Sequence, residues 1–202
     1  MDLLENLKRY TDFSKGISNE PCELLYEDIC LDNIVFTNYD LNNSKFLEVQ
    51  FKNCNFAEVY LSGASLCGSL FEECIFENNI FKKGMADYAR FLKSDFKAID
   101  AFRTSFYATN FEDLKIENSL FKNCHIGRAN FINVIFKNTD LSRASFNDSV
   151  FENVTFQDCY LDETQFKGLI GLENTMFYNT NIMIDGELKT ILGNKVKEVI
   201  MI

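Results

Sequence analysis

Three pairs of adjacent acids, Glu72/Glu73, Glu112/Asp113 and Asp162/Glu163, are the side chains best suited by type to do chemistry in this 202-residue chain. Two neighbouring carboxyls can divide into general acid and general base, but only where a cleft shields one of them and raises its pKa. Seven cysteines and one histidine, His125, are the next resource. Zinc needs several ligands brought together, commonly through CxxC pairs, and no two cysteines here stand at that spacing. A lone His125 excludes a cluster built from histidines. The chain also lacks a glycine loop to cradle phosphate, an HExxH pair, a nucleophile elbow and a Ser/His/Asp set. Everything then depends on whether the elements that carry the acid pairs form a cleft.

Residues 131–146, FINVIFKNTDLSRASF, place Phe131, Phe136, Leu141 and Phe146 five positions apart. Five residues advance a helix by about 500° and bring a strand to its opposite face, so neither element explains the period. A short extended piece closed by a bend does, because each unit then resets the direction of the chain. With the large residue called i, the register runs unbroken through 29 units from Tyr26 to Phe166. Those positions hold 18 of the 21 Phe, and only Ala86 and Ala101 are small. At i−2, on the same side of an extended piece, 22 of 29 residues are Ala, Cys, Ser, Thr, Val or Gly, small enough to lie beside a ring in a narrow interior. At i+2, 17 of 29 are Asn, Asp or Gly, which puts the corner there. The frame slips by one at residues 169–171 and resumes at Leu172, Phe177 and Ile182, making 32 units.

Units such as CNFAE (54–58), ANFIN (129–133), TDLSR (139–143) and ASFND (144–148) resemble the A(D/N)LXX motif of the pentapeptide repeat family. The resemblance implies an all-β fold, a right-handed quadrilateral β-helix with four units per coil and short helical terminal caps. Residues 21–182 would then form about eight coils, a rod about 38 Å long at the 4.8 Å spacing of adjacent strands. Its open ends need covers. Leu3, Leu7 and Tyr10 fall at helical spacing before Gly16, which predicts a cap within residues 1–20. Leu188, Ile191, Leu192, Val196, Val199 and Ile200 predict a helix over 188–200, broken at Gly193, in a capping segment of residues 183–202. So many apolar side chains are also expected to pair two subunits into a homodimer.

In this frame the acid pairs occupy i+1 and i+2, pointing outward near the corners of a convex rod, where no cleft shifts their pKa. Cys54, Cys74, Cys124 and Cys159 take the inward i−2 slot, so packing is their expected role. His125, at i−1, faces outward. Asn42, Asn147 and Asn153 head Asn-x-Ser/Thr triplets that arise where a corner meets the next unit. Ala86 with Gly84 is the thinnest unit and predicts a distortion near residues 84–88. No catalysis, cofactor or metal is expected. No apolar stretch is long enough to span a bilayer, and MDLLENLKRY lacks the basic start and apolar run of a signal peptide. The expected compartment is the cytoplasm.

Function is left to the surface. A formal net charge of −10 works against direct binding of nucleic acid or of anionic membranes. On a four-sided rod, the adjoining faces through Leu31 to Phe151 and through Phe36 to Phe156 carry eleven acids and six bases, whereas the other two carry eight of each. Ten of those eleven acids, Asp32, Glu58, Glu72, Glu73, Glu77, Glu112, Asp113, Glu117, Glu152 and Asp158, are taken as the acidic flank, broken by Lys52, Arg90, Lys93, Lys97, Lys115 and Lys137. In register, size, negative charge and apolar C-terminal segment the chain resembles the Qnr-type quinolone-resistance branch of the family. That resemblance implies a non-enzymatic DNA mimic that binds a type II topoisomerase, DNA gyrase or topoisomerase IV, modulates it and gives quinolone protection. The chain departs from several members of that branch in having no projecting loop between Tyr26 and Phe166. The alternative is a passive scaffold whose flat faces bind another cytosolic protein.

Overall fold

Four pentapeptides make one coil, and the strand register shows it. In the computed structural model, which describes residues 2–184, 187–193 and 195–200, parallel strands pair at an offset of 20. Gln50–Lys52 lies on Leu70–Glu72, which lies on Arg90–Leu92, which lies on the start of Asn110–Glu117. On another side, single bridges join Tyr60, Ile80, Asp100, Leu120, Asp140 and Tyr160 at the same offset. The chain winds as a β-solenoid of about eight turns. Its four faces are named below by their inward residues in one coil: Phe51, Phe56, Leu61 and Leu66.

Backbone sterics make the corners. Every i+2 residue from Asp28 to Gly168 has a φ between 47° and 74°. That left-handed region costs an L-residue roughly 1–2 kcal/mol, with Gly exempt and Asn and Asp the most tolerant, which is why those types crowd the position. The large residue of every unit from Phe36 to Phe166 is buried, and so are Ala86 and Ala101. Rings stack from coil to coil: Phe51, Phe71 and Phe91 have centroids 4.7 and 4.8 Å apart, with planes within 9° of parallel.

The faces are of two kinds. On the Phe51 face, and on the Phe56 face from Ile75–Glu77 onward, the units pair as strands, which merge across the corner in Asn110–Glu117 and Asn130–Lys137, whereas Phe36 and Phe56 themselves head turn units. On the Leu61 face, and on the Leu66 face beyond the paired strands Leu25–Glu27 and Lys45–Leu47, the units close through turns. The Ala64 N–H donates to Leu61 O (2.9 Å), and the Ser149 N–H to Phe146 O (3.2 Å).

The thin unit at Ala86 produces no distortion, contrary to the expectation from its size. The Met85 N–H still donates to Ala64 O (2.9 Å) and the Ala86 N–H to Ser105 O (2.8 Å). Phe81 takes up the space by lying against Gly84, where a Cβ would come within 2.0 Å of its ring. A cavity of about 10 Å³ remains, lined by residues that include Leu61, Phe76, Asn79, Ile99 and Phe106.

Helix α1 (Leu3–Ser14) covers the N-terminal end, burying Leu7, Tyr10 and Thr11. Thr11 Oγ1 accepts the Asp40 N–H (3.1 Å), Tyr10 donates its hydroxyl to Asn42 O, and the chain leaves the helix through Gly16 at φ 70°. The other end differs from the expected helix over 188–200. Thr180–Ile184 and Glu187–Ile191 form an antiparallel hairpin, and only Lys195–Ile200 (α2) is helical, beyond Gly193 at φ 60°. The reason is the open strand edge. The Asn181 N–H donates to Cys159 O (2.8 Å), so the first hairpin strand continues the stack. Its far edge needs a strand as partner, which a helix cannot supply.

Candidate functional site

The ten acids of the predicted flank do fall on the two strand-forming faces, and the register orders them. Asp32, Lys52, Glu72, Leu92 and Glu112 stand directly above one another, followed by Ile132 and Glu152. Acids therefore recur on alternate coils, about 9.6 Å apart at the strand spacing. On the Phe56 face Glu77 and Glu117 alternate in the same way with Lys97. Like charges directly opposite would repel across 4.8 Å, so alternation is what an in-register stack permits.

These acids are not equivalent. Glu72 pairs with Lys52 (3.3 Å) and Glu77 with Lys97 (2.6 Å). Asp32, Asp113 and Asp158 accept amide protons from Asn53, Asn133 and Asn179 on the following coil. Among the described residues, the side chains of Glu58, Glu73, Glu112, Glu117 and Glu152 make no hydrogen bond or ion pair within the protein. Those five carboxylates are the ones ready for a partner.

The acid pairs first weighed for catalysis are spread along the outside and do not converge. Glu163 is engaged by Arg143, whose Nε and Nη2 donate to it at 2.7 and 3.2 Å and hold its carboxyl below the ordinary range. Cys54, Cys74, Cys124 and Cys159 are buried as the frame predicts, whereas Cys30 is exposed. Burial pushes the Cys159 thiol up to about 12 and raises Cys124 as well. In the stacked Cys54–Cys74 pair, the hydrogen bond between thiols and burial together raise Cys74. The Cys74, Cys124 and Cys159 thiols therefore stay protonated and serve as packing. His125 is exposed, and no group of metal-ligating side chains occurs among the described residues.

Two features escaped the sequence reading. The i−2 side chains do more than leave room: Ser94, Thr109, Cys124, Thr139, Ser149 and Thr164 each donate to a carbonyl 23 residues earlier, such as Thr139 Oγ1 to Ile116 O (3.1 Å) and Ser149 Oγ to Ile126 O (2.9 Å). The preference for Ser, Thr and Cys over Ala at i−2 carried that signal. The Asn corners likewise form a ladder, Asn153 donating to Asn133 (2.9 Å) and Asn138 to Asn118 (2.8 Å).

The predicted dimer residues divide. Val196 is fully buried and Ile191 and Val199 pack against the core, so these three cover the last coil of their own chain. Leu188 and Leu192 are exposed; Ile200 ends α2, and its side chain lies outside the described part. No described helix is long and apolar enough to cross a membrane.

Comparison with known proteins bears on the fold. Two family models, both described as pentapeptide repeats, match residues 54–84 and 131–176. The sequence matches no curated protein. Among solved structures, a trypsin-treated form of QnrB1, a plasmid-mediated fluoroquinolone resistance protein, superposes with a TM-score of 0.61 at 14% identity, covering 73% of this chain and 89% of its own. HetL, a pentapeptide repeat protein involved in heterocyst differentiation regulation from the cyanobacterium Nostoc sp., is 15% identical, with 94% and 100% covered and a TM-score of 0.41. Pentapeptide repeats thus match in two separate stretches, and the same four-unit coil continues between them.

Proposed function

We propose that this protein is a non-enzymatic DNA mimic whose acidic flank binds a type II topoisomerase, DNA gyrase or topoisomerase IV, in the cytoplasm and modulates it, with quinolone protection as the outcome. The observation that carries this reading is the row of acids at alternate coils along a straight face without loops, because an enzyme's DNA groove offers cations along a line. QnrB1, whose rod this one resembles, is a fluoroquinolone resistance protein, which supports the choice of partner.

Magnitudes define the kind of mimicry. The flank is net −5 over seven coils. Duplex DNA carries about 20 phosphates over the same length of about 34 Å. The protein therefore acts through a few placed carboxylates, chiefly Glu73, Glu112, Glu117 and Glu152, and its binding should depend on salt less steeply than DNA binding does. The exposed Leu188 of the hairpin and Leu192 just beyond it join two copies end to end, which light scattering reads directly. A passive scaffold for another partner is the second reading, and the neutralisation of Glu72 and Glu77 by lysines favours it.

A supercoiling assay with and without a fluoroquinolone separates the two. Changing Glu72, Glu73, Glu112 and Asp113 to Lys should abolish the effect on gyrase while leaving the melting temperature in place. The matching change of Asp140, Asp162 and Glu163 on the opposite side should do little. If the unmodified protein leaves gyrase untouched even at high micromolar concentration, the mimic is ruled out and the scaffold remains.

A further inference from the structure

The side of the rod opposite the acidic flank is balanced in total charge but not along its length. In the three coils spanning residues 80–128, the Leu61 and Leu66 faces carry Lys82, Lys83, Arg103, Lys122 and Arg128 against Asp87 and Asp100. Both acids are already engaged. Asp100 pairs with Lys82 (2.8 Å), and Asp87 accepts from the Ser105 hydroxyl and the Tyr107 N–H (3.0 Å). Among the described residues, Lys83, Arg103, Lys122 and Arg128 form no ion pair within the protein.

Aromatic side chains sit among these cations. His125 stacks on Tyr107 with centroids 5.4 Å apart and 3° between the planes. Tyr88 meets Tyr107 edge-on at 6.0 Å, and Arg128 stands 5.8 Å over the Tyr107 ring. Gly127 is buried beside the stack, where a Cβ would lie 3.5 Å from the His125 ring and 3.8 Å from Tyr107, so the rings rest on the backbone. Lys83, Tyr88, Arg103 and Arg128 also hold left-handed corners, at φ 55°, 62°, 60° and 57°.

We propose that this basic, aromatic patch is a second binding surface, independent of the acidic flank, for a carboxylate-rich segment of a partner protein. Unpaired guanidinium and ammonium groups match carboxylates in sign, and the guanidinium forks in geometry. Tyr and Arg are the residues that dominate protein interfaces. The patch spans about 14 Å, the reach of about four extended residues. Nucleic acid fits less well. One face of the Tyr107 ring is taken by His125, and the acidic flank repels phosphodiesters.

Anisotropy of a fluorescein-labelled octaglutamate, titrated with the full chain at low salt, tests the assignment. Binding is expected, weakened about tenfold or more by Arg103→Glu with Arg128→Glu, about threefold by Tyr107→Ala, and unaltered by exchanging Leu192 for Glu at the far end. The single histidine gives a second readout that needs no variant: the ring resonances of His125 should shift on adding the peptide. Failure to bind, binding indifferent to the double charge reversal, or an unmoved His125 overturns the proposal. So does an octathymidylate that binds as tightly, which would make the surface a nucleic-acid site. Peptide-independent light scattering that the double reversal abolishes would assign the patch to a second copy of the chain and overturn it as well.

Discussion

The Phe51 and Phe56 faces and the Leu61 and Leu66 faces are built from one repeat yet hold together differently. Up to Phe166, the strand-forming faces have Phe at 12 of 14 inward positions, and the turn-closed faces at 6 of 15. On the strand side, the turn unit of Phe36 apart, the backbone bonds of a unit go to other coils, and ring stacks hold the layers in register. A turn-closed unit keeps its cross-coil bonds and in most cases adds a local one, from i+3 to i. It can therefore do without a large side chain, and both alanines of the inward frame, Ala86 and Ala101, lie on that side. The difference teaches that side-chain packing and local turn closure are alternative ways to stabilise the same pentapeptide. The patches follow the same division, acids on the strands and the basic aromatic cluster on the turns.

The largest effect that could break this comparison is ring deletion. Phe131 stacks on Phe111 at 4.8 Å and meets Phe151 edge-on at 5.2 Å, and Phe131→Ala should destabilise by about 3–5 kcal/mol. Leu141→Ala, on a turn-closed unit, should cost about 2–3 kcal/mol, at the low end for its type. Phe102, outward at i+1 and only partly buried, should lose less than about 1 kcal/mol. Denaturant unfolding reads all three, and equal losses at Phe131 and Phe102 would refute the inward frame.

A smaller change asks whether i−2 is selected for size or for its donor. Thr139→Val keeps the volume but removes the bond to Ile116 O. Loss of about 1 kcal/mol is expected, whereas a neutral result would return the position to size alone. The smallest change should stabilise. Ala98 holds a corner at φ 54°, so Ala98→Gly relieves left-handed strain and should add about 0.5–1 kcal/mol, seen as a small rise in melting temperature. A fall would mean that the corner is not where the cost lies.

Much of this architecture was readable because its causes are local. A residue's tolerance of positive φ depends on its own side chain, so Asn118, Asn123 and Asn133 marked corners before any coordinates. Ring size marks the inward position in the same way. The C-terminal segment failed for the opposite reason. The pattern of Leu188, Ile191 and Leu192 suits a helix, but the unpaired edge of Thr180–Ile184 required a strand, and that edge exists only once the last coil is laid down. The distortion expected at Ala86 failed likewise, since Phe81, five residues earlier, turns to take up the space.

By itself the sequence determined the inward frame, the corners, the buried cysteines and the acids of one flank, all of which repeat with residue type at short range. Sorting the inward residues at a period of 20 would also have separated the Phe-rich faces from the others. Only the tertiary structure decided which acids remain unpaired, which hydroxyls bond across coils, and that Tyr88, Tyr107, His125 and Arg128 meet. Those contacts join residues about one coil apart, and their geometry is set by how the chain closes around its stacked rings, a property of the whole solenoid rather than of any pentapeptide.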